Sequence, residues 1–383
     1  MIRKLFLLLI IVLTFASVHA APGSPQALLE GPLLAADVAA QDRILIYDIG
    51  TGTQRELTFG TGWQHIWGFS PDGCQIVFTS SEGSAPASLY TAKIDGSDVR
   101  QLVAATPAAG NSGASGVWEP QWGADRIAYT QINADGTHRI AWINPTTNET
   151  GMYSVTGNEV TARWSPDGKW LVYMSYESRI AGADTFSTAA PTQPGQSTTT
   201  LTEADLWIVS SDGSTKYRLT NFPVGTVSQP RWSPDSELIG FVYSPSANND
   251  QFWMIGNSPS AIPTQLSYQY VLALDLTWLP DSTAMLASAR NLQNVTENRL
   301  WKLPLTGNID QKATQYLNDP SLDDDDYPRF SADGHWLAVR SEYALALVNT
   351  SDGSWSWLDQ TDLADTPPVW SPATFKGEAA CSS

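Results

Sequence analysis

The side chains best suited to chemistry are few in this sequence and widely separated. Beyond the first twenty residues the only histidines are His65, His138 and His335, and none stands at metal-ligand spacing from another His or from a Cys. The run Asp323-Asp324-Asp325-Asp326 offers hard oxygen ligands for a cation such as Ca²⁺. Adjacent side chains on an extended strand point to opposite sides, however, and the run lacks the alternate acids and Gly of a calcium loop. It reads as a solvated acidic loop. Paired carboxylates for glycoside hydrolysis are defined by their separation in space, and 39 acids offer many accidental pairs. No catalytic, cofactor-binding or metal-ligating residue is therefore assigned, and no cofactor is expected.

Sixteen tryptophans are a stronger signal. Trp122, Trp164, Trp170, Trp232, Trp278 and Trp370 sit where packing of a β core would use them. Trp118, Trp355 and Trp357 lie near strand ends, and Trp63 and Trp67 are the aromatics expected to face a ligand, as a platform for a sugar or a peptide. Cys74 and Cys381 are the only cysteines. In an exported protein they can pair, which would tie the chain end to its first repeat. Export permits that bond without requiring it.

The elements that must carry these residues follow from an internal repeat. Phe69-Ser70-Pro71-Asp72-Gly73, Trp164-Ser165-Pro166-Asp167-Gly168 and Trp232-Ser233-Pro234-Asp235 are clear copies. Trp278-Leu279-Pro280-Asp281, Phe330-Ser331-Ala332-Asp333-Gly334, Trp370-Ser371-Pro372 and Trp122-Gly123-Ala124-Asp125 are degenerate ones. The aromatics stand 53, 42, 68, 46, 52 and 40 residues apart, a period that belongs to propellers among β-rich repeats. Pro sets the first turn position, Asp bonds nearby backbone, and Gly accepts positive φ. Apolar runs such as Gln75–Thr79 and Trp170–Met174 follow each turn, as strands buried on both faces. A second hairpin follows around Asp95-Gly96, Asp212-Gly213 and Asp352-Gly353. Two hairpins make a four-stranded blade.

The expected architecture is all-β, a single propeller over residues 43–376. It has seven blades, or six if the weak last half-blade fails. The hairpin Ile44–Leu57 precedes the first marker and Trp370 has no hairpin after it, so the two ends should complete one blade and remove exposed sheet edges. Residues 178–203, rich in Ser, Thr, Ala, Pro and Gly, are an insertion; without them the 68-residue gap becomes an ordinary period. Residues 21–42 form an N-terminal extension and 377–383 a tail.

Residues 1–20 read as a signal peptide. Arg3 and Lys4 precede an apolar run from Leu5 to Val18, and Val18-His19-Ala20 ends it with a cleavage pattern. The expected location is periplasmic or secreted, with no integral membrane segment after cleavage. The formal charge of −18 becomes two units more negative without the leader. That balance disfavours nucleic acid and anionic membranes, and suits a soluble monomer.

The Trp-Ser-Pro-Asp-Gly turn and the hairpin Leu206–Thr220 (Leu-Trp, then Asp-Gly, then Leu-Thr) resemble the PD40, or WD40-like, repeats of TolB-like propellers. The resemblance covers roughly residues 43–372. Similar repeats occur in the propellers of dipeptidyl-peptidase IV and prolyl oligopeptidase relatives. TolB itself carries an α/β domain ahead of its propeller, for which only residues 21–42 are available here, so association with the Tol-Pal system does not carry over. No Gly-x-Ser-x-Gly elbow occurs for a peptidase. With repeats occupying nearly the whole chain and no catalytic motif among them, the expected function is that of a non-catalytic scaffold that binds a protein or polysaccharide at the cell envelope. The alternative is an envelope glycan- or lactone-active enzyme, with acidic residues or a divalent cation on the propeller axis.

Overall fold

The computed structural model describes residues 27–40, 42–82, 86–109, 113–154, 157–180, 200–268, 271–317, 325–341, 344–359 and 363–382. Its strands form five four-stranded sheets and one of eight. The eight-stranded sheet is two four-stranded meanders joined through a single parallel pairing, Ala204↔Thr226. The result is a β-propeller with seven four-stranded blades among the described residues.

The innermost strands of blades 1 to 6 are Trp63–Phe69, Gly116–Trp122, Glu159–Trp164, Thr226–Trp232, Leu272–Trp278 and Asp325–Phe330. Each ends on a marker aromatic, so the recurrent turn joins the first strand of a blade to its second. The turn is built as its residue types require. Ser165 Oγ bonds the Asp167 carboxylate at 2.7 Å, and that carboxylate accepts from Lys169 N at 3.1 Å. Gly168 sits at φ +69°, a conformation open to glycine without steric cost. Ser236 and Ser282 occupy the same place at φ +64° and +60°.

Blade 7 closes the ring. Its four strands run in the order Val369–Trp370, Leu33–Asp37, Ile44–Asp48, Thr53–Leu57. The hairpin Ile44–Leu57 does complete this blade, but through Leu33–Asp37, which pairs Leu34↔Trp370 and Ala35↔Val369. Part of the expected N-terminal extension is thus a blade strand. Its Ala-rich run carries little β propensity, and its order comes from burial, every residue from Leu33 to Asp37 being buried.

The C-terminal segment clasps the closure. Cys74 and Cys381 form a disulfide across a sequence separation of 307. Arg55 holds Glu378 with two bonds, at 2.8 and 2.9 Å, while the Leu29 amide donates to the same carboxylate at 2.8 Å. In blade 3 the ladder runs from Trp170↔Ser210 to Ile180↔Thr200, against six pairs in the matching ladder of blade 1. Paired backbone therefore continues into the range expected as an insertion loop.

Candidate functional site: an arginine-ringed axial funnel

The inner strands are not regular. Register shifts interrupt six of them, between Ile66 and Gly68, Trp118 and Gln121, Val160 and Arg163, Ser228 and Arg231, Ala273 and Asp275, and Asp326 and Arg329. A bulge bends a strand and re-aims its side chains. Three residues before the marker aromatic, Glu119, Thr161, Gln229 and Tyr327 all adopt positive φ, from 46° to 57°. Non-glycine residues held there cost about 1–2 kcal/mol each. All four line one cavity.

That cavity, about 450 Å³, receives residues from every blade, which puts it on the propeller axis. A second cavity of about 280 Å³ continues toward the ends of the inner strands. The two share His65, Trp67, Arg163, Arg231, Arg329 and Pro367. The three arginines form a waist between an upper and a lower chamber.

Each waist arginine immediately precedes a marker aromatic. Its Nη1 donates to the carbonyl of the residue before it: Arg163 to Ala162 at 2.9 Å, Arg231 to Pro230 at 3.3 Å, Arg329 to Pro328 at 2.8 Å. Asp275 sits between two of them, accepting from Arg231 Nη2 at 3.1 Å and from Arg329 Nη1. Burial would raise the Asp275 carboxyl, but the Arg329 and Arg231 guanidinia overcome it and hold it below the usual carboxylate range. Burial draws Arg231 down to about 10; Asp275 opposes this, while Arg329 and Arg163 add to it by repulsion. Arg231 is still a cation at neutral pH.

One wall of the upper chamber is aromatic. Trp63, His65 and Trp67 alternate along one strand, so their side chains share a face. The Trp63 and His65 rings stack at 5.7 Å, Trp67 meets His65 edge-on at 4.2 Å, and Trp67 meets Trp118 edge-on at 5.6 Å. Trp67 is pinned by its indole N–H, which donates to Thr79 Oγ1 at 2.9 Å. Trp118 is 46% exposed and Leu274 38%, giving the mouth an apolar lip. His65 is buried and pairs through Nδ1 with the Asp37 carboxylate, which also accepts from Ile66 N at 2.9 Å and Thr366 Oγ1 at 3.0 Å.

Trp63 and Trp67, the two aromatics expected to face a ligand, both line this chamber. Trp355 and Trp357 stack edge-on in an outer strand of blade 6. His138 lies in a strand of blade 2, and His335 is exposed beside Asp333 in a marker turn. Of the aspartate run, Asp323 and Asp324 lie outside the described residues. Asp326 accepts from Asn298 at 2.8 Å and from Arg340 at 2.9 Å. Among the described residues no group of three or more His, Cys, Asp or Glu could hold a metal ion. No described helix is long and apolar enough to cross a membrane.

The arginines and Asp37 were not foreseen. Arg-aromatic pairs do recur, as Ala162-Arg163-Trp164, Pro230-Arg231-Trp232 and Pro328-Arg329-Phe330, so the arginine signal lay next to the marker itself. Asp37 carried none, because its strand was not recognised.

No protein-family profile matches the chain, and no curated protein sequence matches it. Solved structures do. An oligogalacturonate lyase in complex with manganese superposes with TM-score 0.56 at 14% identity, over 86% of this chain and 85% of that one. An oligogalacturonate lyase from Vibrio parahaemolyticus gives 0.54 at 13%, over 87% and 86%. TolB from Acinetobacter baumannii gives 0.48 at 14%, over 89% and 83%. At such identities the likeness is one of fold. The sheets and repeats define a β-propeller. A fold alone does not assign a role, so the site must speak for function.

Proposed function

We propose that this chain is an exported, non-catalytic binding propeller of the cell envelope, which receives a polysaccharide or protein ligand in the wide end of its axial funnel. The observation that carries this reading is the convergence of Trp63, Trp67 and Trp118 with Arg163, Arg231 and Arg329 on one cavity lined from all seven blades. Aromatic rings contribute large contact area at small entropic cost, and the funnel has the size of an ordinary ligand pocket. The signal-like N-terminus and strongly acidic balance fit a soluble exported monomer.

The test is capture of envelope material by immobilised protein, wild type against Trp118→Ala. The reading expects capture to fall at least tenfold in the variant. Equal capture by both would move the binding surface away from the funnel and sink the proposal.

One observation favours the enzyme alternative. Asp37 orients His65 through Nδ1, which leaves Nε2 as the ring nitrogen available to a ligand at the funnel wall. A glycan- or lactone-active enzyme would convert its captured ligand and lose that turnover, but not its binding, in His65→Gln. Recovery of unaltered ligand after prolonged incubation supports binding alone.

A further inference from the structure

A separate cavity lies away from the axis, where the chain crosses from blade 7 to blade 1. It measures about 620 Å³, and Phe59, Phe78, Tyr90, Ser80 and Ser88 are among the side chains lining it. That volume belongs to the range of ordinary ligand pockets. No Lys or Arg lines it, and its one carboxylate is the exposed Glu82. It shares no residue with the upper chamber of the funnel.

The repeat shows what this space accepts. Phe59-Gly60-Thr61-Gly62 enters blade 1 as Phe222-Pro223-Val224-Gly225 enters blade 4. The strands that follow pair in one register, Trp63↔Ser81 and Gln64↔Ser80 against Thr226↔Ser244 and Val227↔Tyr243. The entry loops also approach those strands alike. A Cβ on Gly62 would stand 2.4 Å from the Ser81 carbonyl oxygen, and one on Gly225 would stand 2.4 Å from that of Ser244. Phe78↔Tyr90 in turn matches Phe241↔Trp253. Ser80 therefore occupies the position that Tyr243 has in blade 4.

In blade 4 the phenol of Tyr243 fills the space. It stacks on Phe222 at 4.0 Å and 15°, meets Trp253 edge-on at 5.8 Å, and donates its hydroxyl proton to the Val224 carbonyl at 2.8 Å. In blade 1 the same space is the cavity. Thr61 lines it as the counterpart of Val224, Tyr90 as that of Trp253, and Ser88 as that of Gln251. The Phe59 ring spends one face on Phe78, at 4.4 Å and 20°, and borders the cavity. Ser88 Oγ accepts from Ala105 N at 2.9 Å and keeps its own proton to donate.

We infer that this cavity binds the phenolic ring of an uncharged small molecule, seated as Tyr243 is seated in blade 4. The ring lies against Phe59 and Tyr90, and its hydroxyl donates to the Thr61 carbonyl beside Ser80 and Ser88. Ring against ring contributes beyond the area buried, and a phenol hydroxyl entering an apolar site needs a partner. An anion is disfavoured, because it meets no cation there and meets Glu82 at the rim of a chain with net charge −18. Val99, 47% exposed, extends the wall past the seat of one ring, so the ring belongs to a larger molecule.

The experiment is calorimetric titration of the whole protein with p-cresol, toluene and 4-methylcyclohexanol. These carry the flat ring with its hydroxyl, the flat ring alone, and the hydroxyl on a puckered ring. The expected result is one p-cresol site per chain, with each of the other probes binding about tenfold weaker. Ser80→Tyr places the residue of blade 4 in the seat and should abolish p-cresol binding while the protein keeps a cooperative melting transition. Ser88→Gln, which restores the counterpart of Gln251, narrows the cavity and repeats the test should Ser80→Tyr fail to fold. Trp118→Ala, in the funnel, should leave p-cresol binding unchanged.

Absence of saturable p-cresol binding overturns the inference, as does equal affinity for p-cresol and toluene. Binding that survives both serine variants overturns it too, and loss of binding in Trp118→Ala moves the phenol to the funnel with the same consequence. The funnel reading stands or falls separately, on the capture experiment.

Discussion

The indole N–H of Trp278 donates to the backbone carbonyl of Arg231 at 2.9 Å, across the boundary between blades 5 and 4. Trp232 does the same for Arg163 at 3.0 Å, and Trp370 for Arg329 at 2.8 Å. Every waist arginine is thus fastened, through its own backbone, by the marker tryptophan of the next blade. The repeat that builds the fold also sets the site. Trp278→Phe keeps most of the apolar volume and leaves the Arg231 carbonyl without its partner. The expected cost is about 1–3 kcal/mol, read as a lower denaturation midpoint at unchanged m-value, with funnel affinity reduced in the same protein.

Asp275 separates two like charges. Asp275→Asn removes its charge and leaves Arg231 and Arg329 facing each other, at an expected cost of about 2–4 kcal/mol, less than for a fully enclosed pair because both arginines touch the funnel solvent. The sign with pH follows from its depressed folded-state value. The contribution is fully present above the unfolded carboxyl value of about 4 and is lost as pH falls through the lower folded one. Wild type should therefore lose stability against Asp275→Asn only in that acid range. A stability difference that stays constant down to pH 2 contradicts the assignment.

Ser236 replaces the turn glycine at φ +64° and its Oγ accepts from Asp167 N at 3.1 Å, in the preceding blade. Ser236→Ala loses that bond and keeps the strain, whereas Ser236→Gly loses the bond and relieves the strain. The alanine variant should be the less stable by about 1 kcal/mol. Thermal melts of the two proteins decide it, and the reverse order would deny the turn its strained geometry.

The clasp between Cys74 and Cys381 closes a loop of 307 residues. Loss of a bridge over so long a loop costs about 5–6 kcal/mol in the chain-entropy view. Cys381→Ser should lower the melting temperature, and a reductant that lowers the wild-type value should leave the variant unchanged. Because Arg55 and Glu378 still join the ends, the variant should fold and bind normally. Loss of ligand binding in it would tie the clasp to the funnel.

Much of this molecule was legible in its sequence. Pro and Asp-Gly turns followed by β-branched runs announce hairpins through local backbone chemistry, and a 40–50-residue period turns hairpins into blades. Trp63 and Trp67 were visible as strand aromatics outside the marker positions. Leu33–Asp37 was not visible as a strand, since Ala-rich sequence takes its order from burial between neighbours. With that strand went Asp37 and its bond to His65. The arginine waist depends on bulges that turn Glu119, Gln229 and Tyr327 inward, and a bulge is a relation between two strands. Only the recurrence of Arg before Trp164, Trp232 and Phe330 pointed to it.

The central claim is that the ligand lodges in the axial funnel. Hydroxyl-radical footprinting reads it directly, by comparing tryptophan oxidation with and without captured ligand. The account predicts protection of Trp118, Trp67 and Trp63, with Trp355 and Trp357 unchanged. Unchanged oxidation of Trp118 in the loaded protein, or protection confined to Trp355 and Trp357, would contradict it.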